Sequence, residues 1–494
     1  MKNEVKNIIG ISMMSLTKTI GEVLISSFLA FYLTDYFPVE DMFGSVFITA
    51  TLLPFIHLLD AATNLIQGWL IDWVVSKGKK QYRFFCALGV GMVSFASLMI
   101  FHIPKALCSD PKSLVAYIVC FYLVYDFGSS FFVNGALIQT MTMDYNRRIS
   151  FILWPRLVGF VAIIPFIFMF QFVEHYKEYF ENQRAGIGMY VMVLILVSMI
   201  LSLIGVVLVN ENKILKQTRK HVTFHALDIF RMVKKNKPFV TYQIGNFFVG
   251  FIYVTITLIA MYYVKWNYCY EFETGYLDSG KFAYLSMILG IVEFVPFVFG
   301  TLVSAAMCKK ENNPVKGMKI SIAITVFMGV VMEILQICGQ FAFNSNLYFA
   351  MLAFLLFGCG MAFLPGNLLA VETMDYALWK TGKPANATIE SFTRLLSELQ
   401  KSGGLAFIGA LWGVFGYEVR VEASKYLGSL DSLQGMLQCF GYLTAVIPII
   451  CGALTFLVYG KYPLTVLERE KMIRDLERRK GNMGIPSSPE HFKR

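Results

Sequence analysis

Four basic side chains, Lys18, Arg156, Arg394 and Lys401, fall in the interior of otherwise apolar stretches, while the rest of the 43 Lys and Arg lie outside them or, as Lys319, at their very ends. Among the acids of those stretches, leaving aside Asp35 and Asp72 near their ends, are Glu22, Asp60, Asp126, Glu293, Glu333, Glu390 and Glu398. A charge at the centre of a membrane-spanning helix costs about 2.5–3.5 kcal/mol on insertion scales, so such residues either pair or serve a polar pathway. Helical spacing groups several of them. Lys18 and Glu22 are i,i+4; Glu390, Arg394, Glu398 and Lys401 form one polar stripe; His57, Asp60, Asn64 and Gly68 form another. Mutual neutralisation explains Lys18/Glu22 and Glu390/Arg394 as well as function does. Lys401 and Asp60 lie deep in their runs, and Asp60 has no basic residue one turn away, so both are expected to face a central cavity. Glu293 and Glu333 are isolated, and a protonated or hydrogen-bonded structural role competes evenly with a place in the pathway.

The elements that carry these residues follow from composition. Of 494 residues 56% are hydrophobic and only 15% charged, against roughly a quarter charged in an average soluble domain. That excludes a soluble enzyme. The nine Cys are odd in number and mostly sit in apolar runs, which excludes a disulfide scaffold and makes them small hydrophobes. A bilayer span needs about 20 apolar residues, and twelve such runs are present: 10–35, 43–75, 84–104, 113–143, 149–173, 187–209, 239–264, 282–307, 318–341, 346–370, 387–416 and 432–460. The first is too long and too charged to be a cleavable signal peptide.

Alternate segments between the runs, with Lys319 at the very start of the ninth run counted to its flank, hold 31 basic residues on the side of both termini and 8 on the other. The bias predicts cytoplasmic termini in a multi-pass plasma-membrane protein. The formal charge of +10 is then topology and contact with anionic membrane lipid, not nucleic-acid binding. The longest central break, 210–237, is basic and divides the chain into six spans plus six. The expected units are a six-helix bundle at 1–209, the cytoplasmic loop 210–237, a second bundle at 238–462 and a cytoplasmic tail at 463–494. Two six-helix halves with a site at the midplane between them are the layout of a secondary transporter.

Other motifs carry little. Gly275 to Lys281 has the spacing of a phosphate loop, but Phe282 stands where a magnesium-holding hydroxyl belongs and no strand precedes it. His221 and His225 have no acidic partner between them, so a zinc site is not expected. Asn386-Ala-Thr388 fits a glycosylation sequon on the wrong side of the predicted topology. No catalytic set is visible, and neither an enzyme activity nor a cofactor or metal is expected. After the second run, Gly68, Asp72, Lys77, Lys79 and Lys80 form a small residue, an acid and a basic cluster.

That last pattern resembles the signature loop of the major facilitator superfamily, where the acid caps a neighbouring helix and the basic residues hold one access state. Five stretches, in order, are similar to the glycoside–pentoside–hexuronide cation symporters related to melibiose permease. They are Tyr32-Leu-Thr-Asp35; Asp60 to Gly68, resembling D-A-x-x-D-P-x-x-G; Gly135-Ala-Leu-Ile138 with Asp144, Asn146, Arg148, Trp154, Pro155 and Arg156; Glu372-Thr-Met-Asp375-Tyr376 with Trp379 to Gly382; and Lys401-Ser-Gly-Gly404. The resemblance implies an all-α membrane fold of twelve helices in two halves. It implies cation coupling by Asp60, sugar-hydroxyl binding by Arg156, and a link between the two sites through Lys401. The chain departs from the pattern at Asn64, where the second cation acid belongs, and at Leu65 instead of Pro. Counting from Asp35, the first-helix sugar-binding acid falls at Thr19, between Lys18 and Glu22; counting from Asp144, the fourth-helix acid falls at Phe131, five residues after Asp126.

The expectation is therefore a monomeric carrier of a glycoside, oligosaccharide or hexuronide together with a cation. Arg156, Lys401, Asp126, Glu22, Lys18 and Thr19 would meet the solute, Asp60, Asn64 and His57 the cation, and Gly68, Asp72, Lys77, Lys79 and Lys80 the gate. One carboxylate fewer disfavours sodium relative to a proton. An uncoupled facilitator and a lipid or lysolipid carrier of the same fold are the alternatives.

Overall fold

Long apolar runs broken by short polar loops fold as helices because a backbone in lipid must satisfy its hydrogen bonds within its own segment. The computed structural model of the chain describes residues 2–29, 32, 67–68, 70–75, 77, 81–104, 107, 111–142, 144–180, 183–211, 236–311, 313–381, 386–417, 419–420, 425–426 and 428–481. In the first half α1 (Lys2–Met14) and α2 (Leu16–Glu22) run on into a π-helical segment, Val23–Phe28. They are followed by α3 (Tyr82–Phe101), α4 (Pro111–Ser129), α5 (Asn134–Met141), α6 (Tyr145–Ile167), α7 (Met169–His175) and α8 (Gln183–Leu208). The second half holds α9 (Lys237–Tyr263), α10 (Ser279–Glu311), α11 (Pro314–Ile337), α12 (Ser345–Thr381), α13 (Asn386–Phe415) and α14 (Leu430–Gly460). A tail helix, α15 (Val466–Gly481), closes the described chain.

Helix starts follow local chemistry. The Asp144 carboxylate accepts from the Arg147 N–H at 2.8 Å, Asn236 caps Phe239 at 3.1 Å, and Asn313 caps Val315 at 3.1 Å with Pro314 opening α11. Pro155 and Pro165 in α6, Pro296 in α10, Pro365 in α12 and Pro448 in α14 each remove one backbone bond from a helix interior. Two of them adjoin polar residues of the interior: Pro155 precedes Arg156, and Pro296 follows Glu293 by three.

Ten described helical stretches are long and apolar enough to cross a membrane: Glu4–Ile25, Tyr82–Phe101, Lys112–Ile138, Asn146–Val173, Arg184–Leu208, Lys237–Tyr268, Ser279–Glu311, Pro314–Ile337, Ser345–Thr381 and Leu430–Gly460. α13, with 30 residues, is long enough but carries the Glu390–Lys401 stripe, which lowers its hydropathy. The run at 43–75 lies mostly outside the described residues, and of it 67–68 and 70–75 are helical. Apolar side chains such as Val197, Ile200 and Val207 on α8, Phe327 and Ile334 on α11, and Leu457 on α14 are exposed, as a lipid-facing surface requires.

Within the second half α10 lies along α12, α11 against α12 and α14, and α9 against α14 and α13; in the first, α3 packs on α4 and α1 on α8. The halves meet where α6 and α7 touch α10, α6 touches α12, and α5 touches α13. At the end of the molecule away from the termini, four two-residue strands form a small antiparallel sheet. They are β1 (Tyr270–Glu271), β2 (Tyr276–Leu277), β3 (Val419–Arg420) and β4 (Lys425–Tyr426), in the order β1-β2-β4-β3. Beneath it Trp266 and Trp412 are fully buried, and the Trp266 Nε1–H donates to the Tyr417 hydroxyl at 2.7 Å.

Candidate functional site

A cavity of about 410 Å³ lies between the two halves, and its walls bring together residues from far apart in sequence. α2 contributes Thr19 and Glu22, α6 Arg156 and Phe160, α9 Tyr253, α10 Ser286, Glu293 and Phe297, and α13 Ser397, Gln400 and Lys401. Thr19 and Glu22 are one turn apart, immediately before the π-helical segment, a geometry that often marks functional positions in helices. The sequence count to Thr19 and the acid found at Glu22 thus fall on the same wall.

Arg156 is held by aromatic faces instead of by an acid. Its guanidinium carbon lies 4.3 Å from the centre of the Phe363 ring, 4.6 Å from Phe160 and 5.7 Å from Phe297. Its Nε is buried with no hydrogen-bond partner among the described residues. Rings stacked on a guanidinium leave its in-plane N–H fork free to meet a ligand. Across the cavity Lys401 Nζ pairs with Glu398 at 2.8 Å, and Glu22 pairs with Lys18 at 3.4 Å. The charges of Glu22 and Asp126 also reach Lys401. Lys18 and Asp126 are not on the cavity wall; Asp126 is buried in α4 behind it. Gln400 donates to the carbonyls of Asn246 and Phe247 at 2.8 and 3.0 Å, and it comes so close to Gly250 that a side chain there would collide with its amide.

His57, Asp60, Asn64, Lys79 and Lys80 lie outside the described residues. Of the remaining loop, Gly68 is buried, Asp72 accepts from the Tyr82 hydroxyl at the start of α3 at 2.9 Å, and the Lys77 ammonium lies 3.6 Å from the centre of its own segment's Trp73 ring.

Toward the end that carries both termini the halves are clasped by ion pairs. Arg148 at the start of α6 forks onto Asp375 of α12, with its Nη2–Oδ1 arm at 3.2 Å and both side chains buried. On the same turn of α12, Glu372 receives Arg469 of α15 at 2.6 and 3.2 Å. The tail helix is also tied by Trp379 Nε1, which donates to Asp475 at 3.1 Å. At its start the Thr465 N–H and hydroxyl hold the Glu468 carboxyl below its usual range. Glu390 and Arg394 pair at 3.2 Å, and they also reach across. Glu390 accepts from the Ala136 N–H at 3.0 Å, and Arg394 donates to the carbonyls of Ser129 and Phe132. Sequence reading missed this bridging, as it missed Tyr253, Ser397 and Gln400. Spacing along one helix carries no signal of a partner on another.

The comparisons with known proteins agree on this architecture. The model of the MFS/sugar transport protein family matches residues 10–466. An uncharacterized symporter, YjmB, of Bacillus subtilis is 24% identical over 460 residues, covering 89% of this chain and 87% of the relative. An isoprimeverose transporter of Lactiplantibacillus pentosus is 20% identical over 463 residues, covering 92% and 88%. Among solved structures, a bacterial homologue of the iron transporter ferroportin in an outward-facing state superposes with TM-score 0.57 at 11% identity, covering 94% of this chain and 99% of that one. The fucose:proton symporter of E. coli superposes with TM-score 0.55 at 10% identity, covering 94% and 98%. With the two-half helical fold, the cavity between the halves and a family match over nearly its whole length, the chain belongs to the MFS/sugar transport protein family of the major facilitator superfamily.

Proposed function

We propose that this protein carries a glycoside, oligosaccharide or hexuronide across the membrane by alternating access, and that the solute moves with a proton in preference to sodium. Arg156 carries the reading: a half-buried guanidinium, stacked between phenyl rings and without an acidic partner, lines a cavity between the halves. Its fork suits paired hydroxyls or a sugar carboxylate. Thr19, Glu22, Ser397, Gln400 and Lys401 supply further acceptors and donors around a ring-sized volume. Lys401, already paired with Glu398 on its own helix, is placed to change partner when an acid of the first half fills or empties. Asp60 is that acid by family resemblance, with Asn64 and His57 beside it. Asn64 in place of a second acid weakens a sodium site more than a proton site.

Binding at the midplane and rocking of the halves about it would expose the cavity to one side at a time. The Arg148–Asp375 pair and the Glu390/Arg394 clasp close the end that carries the termini; the loop with Gly68, Asp72, Lys77, Lys79 and Lys80 belongs to the same gate. The basic bias of the loops makes that end cytoplasmic. The protein acts as a monomer in the plasma membrane, the cavity needing no residue of a second copy.

The test uses the purified chain in liposomes, with radiolabelled isoprimeverose and a glucuronide as first probes. An inside-alkaline proton gradient should drive accumulation of one of them, and an inward sodium gradient should add nothing. Strict sodium dependence would overturn the coupling. Transfer of lysophospholipid with indifference to both sugars would overturn the solute class in favour of a lipid carrier.

A further inference from the structure

Glu293 is the acid of the cavity that the reading above leaves unused. It lies near the middle of the 33-residue α10, three residues before Pro296, and lines the cavity from the second half. The other charges on the wall differ from it. Glu22 has Lys18, Lys401 has Glu398, and Arg156, which cannot shed its proton, is stabilised by three rings. Among the described residues Glu293 makes neither an ion pair nor a hydrogen bond.

Among the described residues no cation pairs with it, although Arg156 and Lys401 line the same cavity. The titratable groups whose charge would reach it are the phenols of Tyr253 on α9 and Tyr348 on α12. Arg156 of α6 lines the same cavity but is stacked on Phe160, Phe297 and Phe363 and makes no ion pair with Glu293. α7, α11 and the segment 264–268, which also pack on α10, give it no ion-pair partner among the described residues. An unpaired carboxylate at the depth of the membrane centre is expensive, whereas a carboxylic acid is not. A carboxyl in this position, opening on a water-accessible cavity, has one inexpensive way to exist in each access state: protonated when water is excluded, free to ionise when water reaches it. Tyr253 lines the same cavity and lies within electrostatic reach of both Glu293 and Arg156, so filling the cavity changes the surroundings of both groups together.

We propose that Glu293 is the proton-carrying carboxyl of the cavity, taking a proton from water on one side and releasing it to water on the other as the halves alternate. The balance is a single proton: carboxylate plus proton gives carboxylic acid, and the reverse step restores the carboxylate. This deepens the proton-coupled reading and rests on it, while placing the carrier on the half opposite to Asp60.

Glu293→Gln keeps the shape of the neutral acid and cannot release a proton. In liposomes holding the full chain, Glu293→Gln should retain isoprimeverose exchange with no gradient and lose accumulation driven by an inside-alkaline gradient. Accumulation equal to wild type, or loss of exchange together with accumulation, would overturn the proposal. Infrared difference spectra between high and low pH give a sugar-independent arm. A carboxylic C=O band that shifts in heavy water should be present in wild type and missing in Glu293→Gln, and an unchanged band overturns the assignment. If wild type moves no sugar, the transport reading falls, and the infrared arm still decides on Glu293.

Discussion

A guanidinium in a membrane interior is tolerated when something other than water supports it, and at Arg156 that support is three phenyl rings. The rings stabilise the charge without consuming its N–H donors. Replacing Arg156 by Lys keeps the charge, but an ammonium loses the planar stack and the fork. A hydrogen bond from a charged donor contributes about 1.5–3 kcal/mol, so loss of one weakens binding roughly tenfold to a hundredfold. Calorimetric titration with isoprimeverose should show that loss for Arg156→Lys and a greater one for Arg156→Ala, with thermal unfolding little changed. Equal affinity in all three would remove Arg156 from the binding site. The residue was legible in the sequence because a lone charge in an apolar run announces itself. Phe363, some two hundred residues away, was not, because one phenylalanine among 45 carries no mark of facing a cation.

At the scale of elements, the cavity wall depends on how closely α10 and α12 approach. A Cβ on Gly300 would run into the Phe357 carbonyl of α12, and a Cβ on Gly360 into the Phe297 carbonyl of α10, each well inside contact distance. The Thr301 hydroxyl closes the crossing by donating to the Gly360 carbonyl at 3.1 Å. Small residues permit such contact in membranes, where packing supplies much of the association energy. Gly360→Ala must separate the helices, and overpacking of this kind costs about 1–3 kcal/mol. The expected readout is a lower midpoint of thermal unfolding in detergent, together with weakened sugar binding, because Phe297 lies on the cavity wall. Ala at exposed Gly460, where a Cβ meets nothing, is the control that should behave as wild type. The helices themselves were legible from hydropathy, including the charged α13. Their crossings were not, since a glycine in a sequence does not say which carbonyl it lets in.

For the whole molecule, the ion pairs toward the terminal end bear on which access state is populated. The Arg148–Asp375 pair is buried and joins the halves, so on the alternating-access proposal it should form only while that end is closed. Asp375→Asn leaves Arg148 buried without its counter-charge, a penalty of about 3–5 kcal/mol for removing one partner of such a pair. The penalty applies to the closed state, because opening lets water reach the guanidinium. The equilibrium therefore shifts toward opening by a factor on the order of a hundred to a few thousand. Charges at Glu372 and Asp375 were legible as part of a family-like motif, but their partners Arg469 and Arg148 lie 97 and 227 residues away, beyond what helical spacing can relate. Hydrogen–deuterium exchange on Asp375→Asn should rise over 134–148 and 370–381 and fall around the strands at 270–277 and 419–426 as the opposite end closes. The exchanged pair Arg148→Asp with Asp375→Arg should restore the wild-type pattern, which a general loss of folding would not allow. Exchange unchanged at both ends would mean that the pair fastens the fold without selecting a state.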